Sequence, residues 1–150
     1  VGVNCSRIFQ SKYEKIVYSI LDTSGQDHFF GLIPNYFSGT NAIILFTDVN
    51  EHEEYKSLKA FIDLVLDNFD SKGIPLFYLS TTKTDLGWNN TKEEIESFFH
   101  LNFNLNLKFF ITSLDDLKSI NFMFDSIIDD LIEKYQLDVK PQLNNECLIL

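Results

Sequence analysis

Apolar residues recur along the chain in two rhythms. Residues 1–9 and 15–21 are two strand-like runs joined by the polar bend 10–14, which predicts an antiparallel hairpin. Residues 42–46, 74–79 and 107–111 are nearly continuous in apolar side chains, the signature of strands buried on both faces. Between these runs the spacing changes. Leu58, Phe61, Ile62, Val65, Leu66 and Phe69 follow the three-and-four spacing of one helix face. Thr91-Lys92-Glu93-Glu94 forms a capping box that opens a short helix with Ile95, Phe98 and Phe99 inward. Ile120, Phe124, Ile127, Ile128, Leu131 and Tyr135 make a final amphipathic helix. Strands alternating with helices predict an α/β fold with a mostly parallel sheet covered on both faces. There is no internal repeat, and no linker before the last dozen residues.

In such sheets ligands bind beyond the carboxyl ends of the strands. Those ends are DTSGQ at 22–26, TDVN at 47–50, STTKTD at 80–85 and TS at 112–113. Polar residues therefore cluster where the architecture puts a ligand. Strand ends are also where ordinary turns sit. Asp48 and Asn50 equally suit helix caps, and DTSGQ taken alone reads as a glycine-containing turn.

Composition narrows the classes. The 150 residues, 45% of them hydrophobic, suit one compact domain. The apolar run at 42–46 is far too short to span a bilayer, and no N-terminal stretch has a basic-then-apolar signal design. The two cysteines, Cys5 and Cys147, form neither a CxxC nor a Cys/His set, so neither disulfide nor zinc is expected. Asn4-Cys5-Ser6 and Asn89-Asn90-Thr91 match the glycosylation pattern by chance. A net charge of −10 repels nucleic acid, which is not expected as a partner. The acidic pairs Glu53/Glu54, Glu93/Glu94, Asp115/Asp116 and Asp129/Asp130 read as solvated helix faces, and the fifteen Phe as core.

The strand-end motifs resemble those of the Ras-like small GTPases, most closely the Rab branch. Asp22-Thr23-Ser24-Gly25-Gln26 is similar to the family's DTAGQ. Residues 28–39, HFFGLIPNYFSG, track the second switch and its helix, keeping Phe29, Leu32, Pro34, Tyr36 and Gly39. ILFTDVN at 44–50 matches the next strand. Thr82-Lys83-Thr84-Asp85 resembles NKxD, the guanine-reading motif, and Ile111-Thr112-Ser113 stands where the family has ETSA. Val1-Gly2-Val3-Asn4 resembles the Rab IGVD segment. The resemblance covers about residues 1–135 with consistent spacing. The short connection 86–91 leaves no room for the Rho branch's insert.

The resemblance implies GTP and GDP as ligands, with Mg²⁺. Asp22 would hold Mg²⁺ through water, a hard oxygen ligand for a hard ion. Thr23, Ser24 and Gly25 would line the terminal phosphate, with the Gly25 N–H free to approach it closely. Gln26 would orient the attacking water, as the catalytic residue. Asp85 would accept hydrogen bonds from guanine N1 and N2, Lys83 would lie along the base plane, and Thr82, Ser113 and Leu114 would complete the base site. His28 reads as a surface base rather than a general base, and Trp88 as loop packing.

This sequence also departs from the family. No GxxxxGK followed by Ser or Thr occurs, so the expected domain is a P-loop NTPase-like small GTPase domain lacking its first strand and helix, with one antiparallel edge strand. A β–α unit of about 30 residues is absent, and Val1 stands in place of Met, so the chain is expected to be a fragment. The three aromatic effector positions of Rabs correspond to Cys5, Leu21 and Tyr36, only one of them aromatic. Thr82 replaces Asn, and Leu114-Asp115 replaces Ala-Lys.

Residues 136–150 read as a flexible tail ending Cys147-Leu148-Ile149-Leu150, a CaaX box that predicts geranylgeranylation of Cys147 by a prenyltransferase. One prenyl chain anchors reversibly, and only Lys140 lies nearby to help. The leading expectation is a Rab-like, GTP-hydrolysing switch in vesicle traffic, served by an exchange factor, a GTPase-activating protein and effectors. It would be cytoplasmic, and reversibly on the cytoplasmic face of endomembranes. The alternative is a nucleotide-deficient adaptor tethered by its prenyl group. A phosphorylated receiver domain also puts Asp and Lys at strand ends, but predicts neither the guanine motif nor the CaaX box.

Overall fold

The computed structural model describes residues 3–13, 16–23, 27–48, 56–69, 75–83, 92–105 and 107–140. Strands β1 (Val3–Gln10) and β2 (Val17–Thr23) pair antiparallel, with Gln10 opposite Val17 and Val3 opposite Thr23. Strands β3 (Ala42–Asp48), β4 (Leu76–Thr82) and β5 (Lys108–Ile111) form a parallel sheet in the order β3-β4-β5. Parallel neighbours need long crossovers. Helix α1 (Lys56–Asn68) lies between β3 and β4, α2 (Lys92–Phe103) lies between β4 and β5, and α3 (Leu117–Tyr135) follows β5. The chain divides into two compact units, residues 1–39 with 124–150, and residues 40–123.

The second unit is the parallel α/β layer. Phe77, Tyr78, Leu79, Ser80 and Thr81 are all buried. Successive strand residues point to opposite faces, so five buried in a row place β4 in the middle, covered on both sides. The α1 face is the expected one: Leu58, Ile62 and Val65 are buried, with Phe61, Leu66 and Phe69 half-buried beside them. On α2 the buried Phe99 meets Phe98 edge to face and Phe103 at a tilt, at centroid distances of 5.5 and 5.7 Å. Lys59 of α1 sits 5.6 Å from the Phe103 ring. The side chain of Ile95, and Thr91 of the capping box, lie outside the described residues.

The strand ends differ from the sequence reading. β2 runs to Thr23, β3 to Asp48 and β4 to Thr82, beyond the apolar runs that ended at 21, 46 and 79. Ladder pairing is a backbone property, and β-branched threonine suits it. At its other end β4 starts at Leu76, not at 74. Pro75 has no N–H, and the first bond is Leu76 N to the Asn41 carbonyl at 3.1 Å.

In the first unit the segment Asp27–Tyr36 is a 3-10 helix containing Pro34. It closes through Phe37 N to the Pro34 carbonyl at 3.1 Å, with Ile33 and Phe37 buried. The second half of α3 buries Ile127 and Ile128, and Phe124 stacks on Tyr18 of β2 at 6.2 Å. Tyr135, expected inward, is 46% exposed, because the last turn of α3 outruns the core. Asp116 caps the start of α3, its carboxylate accepting from Lys118 N at 3.1 Å. The helix ends in a Schellman motif: Leu137 N bonds the Ile132 carbonyl at 3.1 Å and Gln136 N the Glu133 carbonyl at 3.2 Å, with Gln136 at φ 51°.

Candidate functional site

Asp22 and Thr23 end β2 in the first unit. Asp22 and Thr23 are both exposed, with Asn4 and Val3 as their respective ladder partners. Asp22 thus offers a solvated carboxylate at a strand terminus. Among the described residues no group of three His, Cys, Asp or Glu side chains could hold a metal ion unaided. That donor set fits Mg²⁺, which keeps waters and takes one or two carboxylates plus substrate phosphates. Ser24, Gly25 and Gln26 lie outside the described residues, as do Asp85 and Cys147.

The carboxyl rim of the parallel sheet belongs to the second unit. It gathers Thr82, Lys83, Ser113 and Leu114 from the ends of neighbouring strands. Thr82 is half-buried, and its hydroxyl donates to the Thr47 carbonyl of β3 at 3.2 Å. That bond ties the ends of β4 and β3 without an amide. Lys83 follows at φ 59°, a left-handed backbone that few non-glycine residues adopt. The Lys83 side chain is exposed directly after the end of β4.

Past β5, Ser113 organises its own loop. Its N–H donates to Ser119 Oγ at 3.3 Å, and its hydroxyl accepts from Asp115 N at 3.2 Å. Its carbonyl accepts from Asp116 N at 3.1 Å. Leu114, at the tip, is 85% exposed and packs on little. The N–H groups of Ser113, Asp115 and Asp116 are thus all engaged within the loop, which fixes the backbone on either side of Leu114.

Two residues absent from the sequence-derived site lie directly beneath this rim. Ser80 and Thr112 are buried, with their hydroxyl oxygens 2.8 Å apart. The sequence signal was their place in the polar strand ends, Ser80 opening STTKTD and Thr112 within Ile111-Thr112-Ser113. Local periodicity does not say that β4 and β5 bring the pair together.

Of the acidic pairs, Glu93, Glu94, Asp115, Asp116 and Asp129 are exposed, as read from the sequence. Asp129, read as a solvated helix position, accepts from Tyr13 Oη at 2.6 Å and from Lys12 Nζ at 2.9 Å. It ties the β1–β2 bend to α3 and carries no ligand geometry.

Residues 2–133 match the family described as the Ras family. The chain is 26% identical to Ras-related protein Rab-12 of Homo sapiens, an alignment covering 100% of this chain and 62% of that protein. It is 27% identical to ADP-ribosylation factor K of Dictyostelium discoideum, covering 89% and 70%. It is 26% identical to Ras-related protein Rab-1C of the same organism, covering 87% and 64%. The chain thus spans less than two thirds of the length of the two Rab relatives.

Proposed function

The chain belongs to the Ras family, with Rab-related sequence, and from that premise we propose that the protein is a guanine-nucleotide switch acting in vesicle-mediated membrane traffic. The observation that carries this reading is the convergence of Thr82, Lys83 and Ser113 on one sheet rim, with Lys83 turned by its left-handed backbone. Guanine would be read there, with Asp85 as the acceptor for N1 and N2. Asp22 would hold Mg²⁺ through water, and the ion supplies charge neutralisation of the phosphates when bound. Thr23, Ser24 and Gly25 would face the terminal phosphate. Gln26 would orient the water that attacks it.

Hydrolysis would free the loop after β2, so the bound nucleotide sets which surface partners meet. Leu21 and Tyr36, both exposed, are candidate contacts for effectors. An exchange factor and a GTPase-activating protein would set the timing. Among the described residues no helix is long and apolar enough to cross a membrane. Membrane contact would come from a prenyl group on Cys147, added by a prenyltransferase, giving reversible residence on the cytoplasmic face of endomembranes.

The test is titration of the full-length protein with fluorescent guanine and adenine nucleotides in the presence of Mg²⁺. Guanine should be preferred by at least about 100-fold, because a site built around base hydrogen bonds leaves them unpaired with adenine. Asp85→Asn should lose most of that preference. Gln26→Leu should slow hydrolysis while binding persists, and Cys147→Ser should leave the protein in the supernatant after membranes are pelleted. Equal affinity for both bases would overturn the reading. A second reading, a prenylated adaptor without nucleotide turnover, draws on Leu114-Asp115 standing where the family has Ala-Lys. It predicts membrane pelleting without nucleotide binding.

A further inference from the structure

Ser80, Thr81 and Thr112 share a buried chain of hydrogen bonds whose direction the donor count fixes. Thr112 Oγ1 donates to the Thr81 carbonyl at 3.1 Å, since a carbonyl can only accept. A hydroxyl has one hydrogen to give. Thr112 Oγ1 has spent it, so at the 2.8 Å contact Ser80 Oγ is the donor and Thr112 Oγ1 the acceptor. The Thr112 N–H also reaches the Thr81 carbonyl, at 2.9 Å. That carbonyl therefore takes two bonds from one residue. Ser80 is 0% and Thr112 4% exposed, so water does not replace either bond.

The position of this chain gives it consequence. The last pair of the β4–β5 ladder is Thr81 with Ile111. Beyond it the two segments would be free to splay. Thr112 instead grips β4 at two successive residues, Ser80 by its hydroxyl and Thr81 by its carbonyl. Thr82 and Lys83 leave β4 directly after this grip, and Ser113 and Leu114 leave β5 directly after it. On the opposite side of β4, the Thr82 hydroxyl holds the Thr47 carbonyl.

We infer that Thr112, hydrogen-bonded to the Ser80 hydroxyl and the Thr81 carbonyl, is a positioning residue that sets the spacing between the two loops proposed to read the guanine base. The inference rests on the guanine-switch reading and deepens it. Neither Thr112 nor Ser80 touches the nucleotide. Each acts through the backbone that carries the groups which do. The spacing matters most for discrimination, because the two loops must meet adjacent atoms on one edge of a rigid purine, N1 and N2 from one loop and O6 from the other.

The test compares Thr112→Val, Thr112→Ser and Ser80→Ala in the full-length protein. Valine keeps the shape and removes the hydroxyl. Serine keeps the hydroxyl and removes a methyl. Release rates of GDP and of inosine diphosphate, which lacks the exocyclic 2-amino group, are measured beside unfolding of the nucleotide-free protein. Thr112→Val should release GDP about tenfold faster, the size of one lost buried hydrogen bond. Its GDP release should approach that of inosine diphosphate. Thr112→Ser should restore both rates to near wild type. A Thr112→Val protein with the wild-type ratio of the two rates would overturn the inference, as would Thr112→Ser failing equally. If Thr112→Val does not fold, Ser80→Ala decides: a narrowed ratio supports the inference and an unchanged one overturns it. Wild-type protein without guanine preference removes both this inference and the switch reading. Wild-type preference with an indifferent Thr112→Val removes this inference alone.

Discussion

Tyr13 Oη lies 2.6 Å from Asp129 Oδ1, so a residue at the bend between β1 and β2 is held by the last helix of the chain, 116 positions away. Lys12 Nζ takes the other oxygen of the same carboxylate at 2.9 Å. The bend is pre-shaped for this by Ser11, whose hydroxyl accepts from Tyr13 N at 3.0 Å. One carboxylate thus closes the first unit. Asp129→Ala should lower stability by about 0.5–1.5 kcal/mol, as expected for a partly exposed pair of bonds, measured by urea unfolding.

The same cluster gives a pH signature. The hydrogen bond to Asp129, then burial and the Asp129 charge, raise the Tyr13 hydroxyl above its ordinary 10.0. For Lys12, burial alone would lower the ammonium, but the hydrogen bond to Asp129 and the charges of Asp125 and Asp129 outweigh it, raising it above 10.5. Both groups hold their protons more tightly when folded. Their stabilisation is therefore complete below about pH 10 and is lost as pH rises through the raised folded values. Melting temperature against pH should fall above pH 10, and the fall should shrink in Asp129→Ala.

Thr81 presents the opposite case. Its hydroxyl is buried with no hydrogen-bond partner among the described residues. A buried polar group left unpaired costs about 1–3 kcal/mol. Valine has nearly the same shape without the hydroxyl. Thr81→Val should therefore raise stability by about 1 kcal/mol or more, read as a higher denaturant midpoint at unchanged slope.

Two glycines of the first unit should respond with opposite signs. A Cβ at Gly39 or at Gly31 would meet nothing within 4 Å, so neither change is limited by space. Gly39 has φ +80°, which an L side chain strains to adopt, so Gly39→Ala should destabilise by about 1 kcal/mol. Gly31 sits in the 3-10 helix, and Gly31→Ala should stabilise by about 0.4–1 kcal/mol through the unfolded chain. Thermal unfolding of the two variants side by side checks the pair.

Gln136 occupies the left-handed position of the Schellman motif, where glycine is the usual residue. Gln136→Gly should stabilise the end of α3 by about 0.5–1 kcal/mol, detected as slower amide exchange at Leu137 and Gln136.

The sequence by itself determined the rhythm of this protein. Leu58, Ile62 and Val65 repeat at helical spacing, and burial follows because three and four residues make one turn wherever the helix docks. The strand at 42–46 and the polar residues after 79 were legible for the same reason: local pattern fixes local geometry. The motifs at 22–26 and 82–85 carried the family, since their chemistry is written in adjacent residues. Partners distant in sequence were decided only by the tertiary structure. That Thr82 reaches the Thr47 carbonyl, that Thr112 grips Ser80 and Thr81, and that Asp129 holds Tyr13 all depend on the register of segments up to 116 residues apart. Thr23, Asp48 and Thr82 joined ladders past the apolar runs because a backbone pairs according to its neighbour, whatever its own side chain. A hydroxyl or carboxylate carries no periodicity that names its partner, and only the folded chain supplies one.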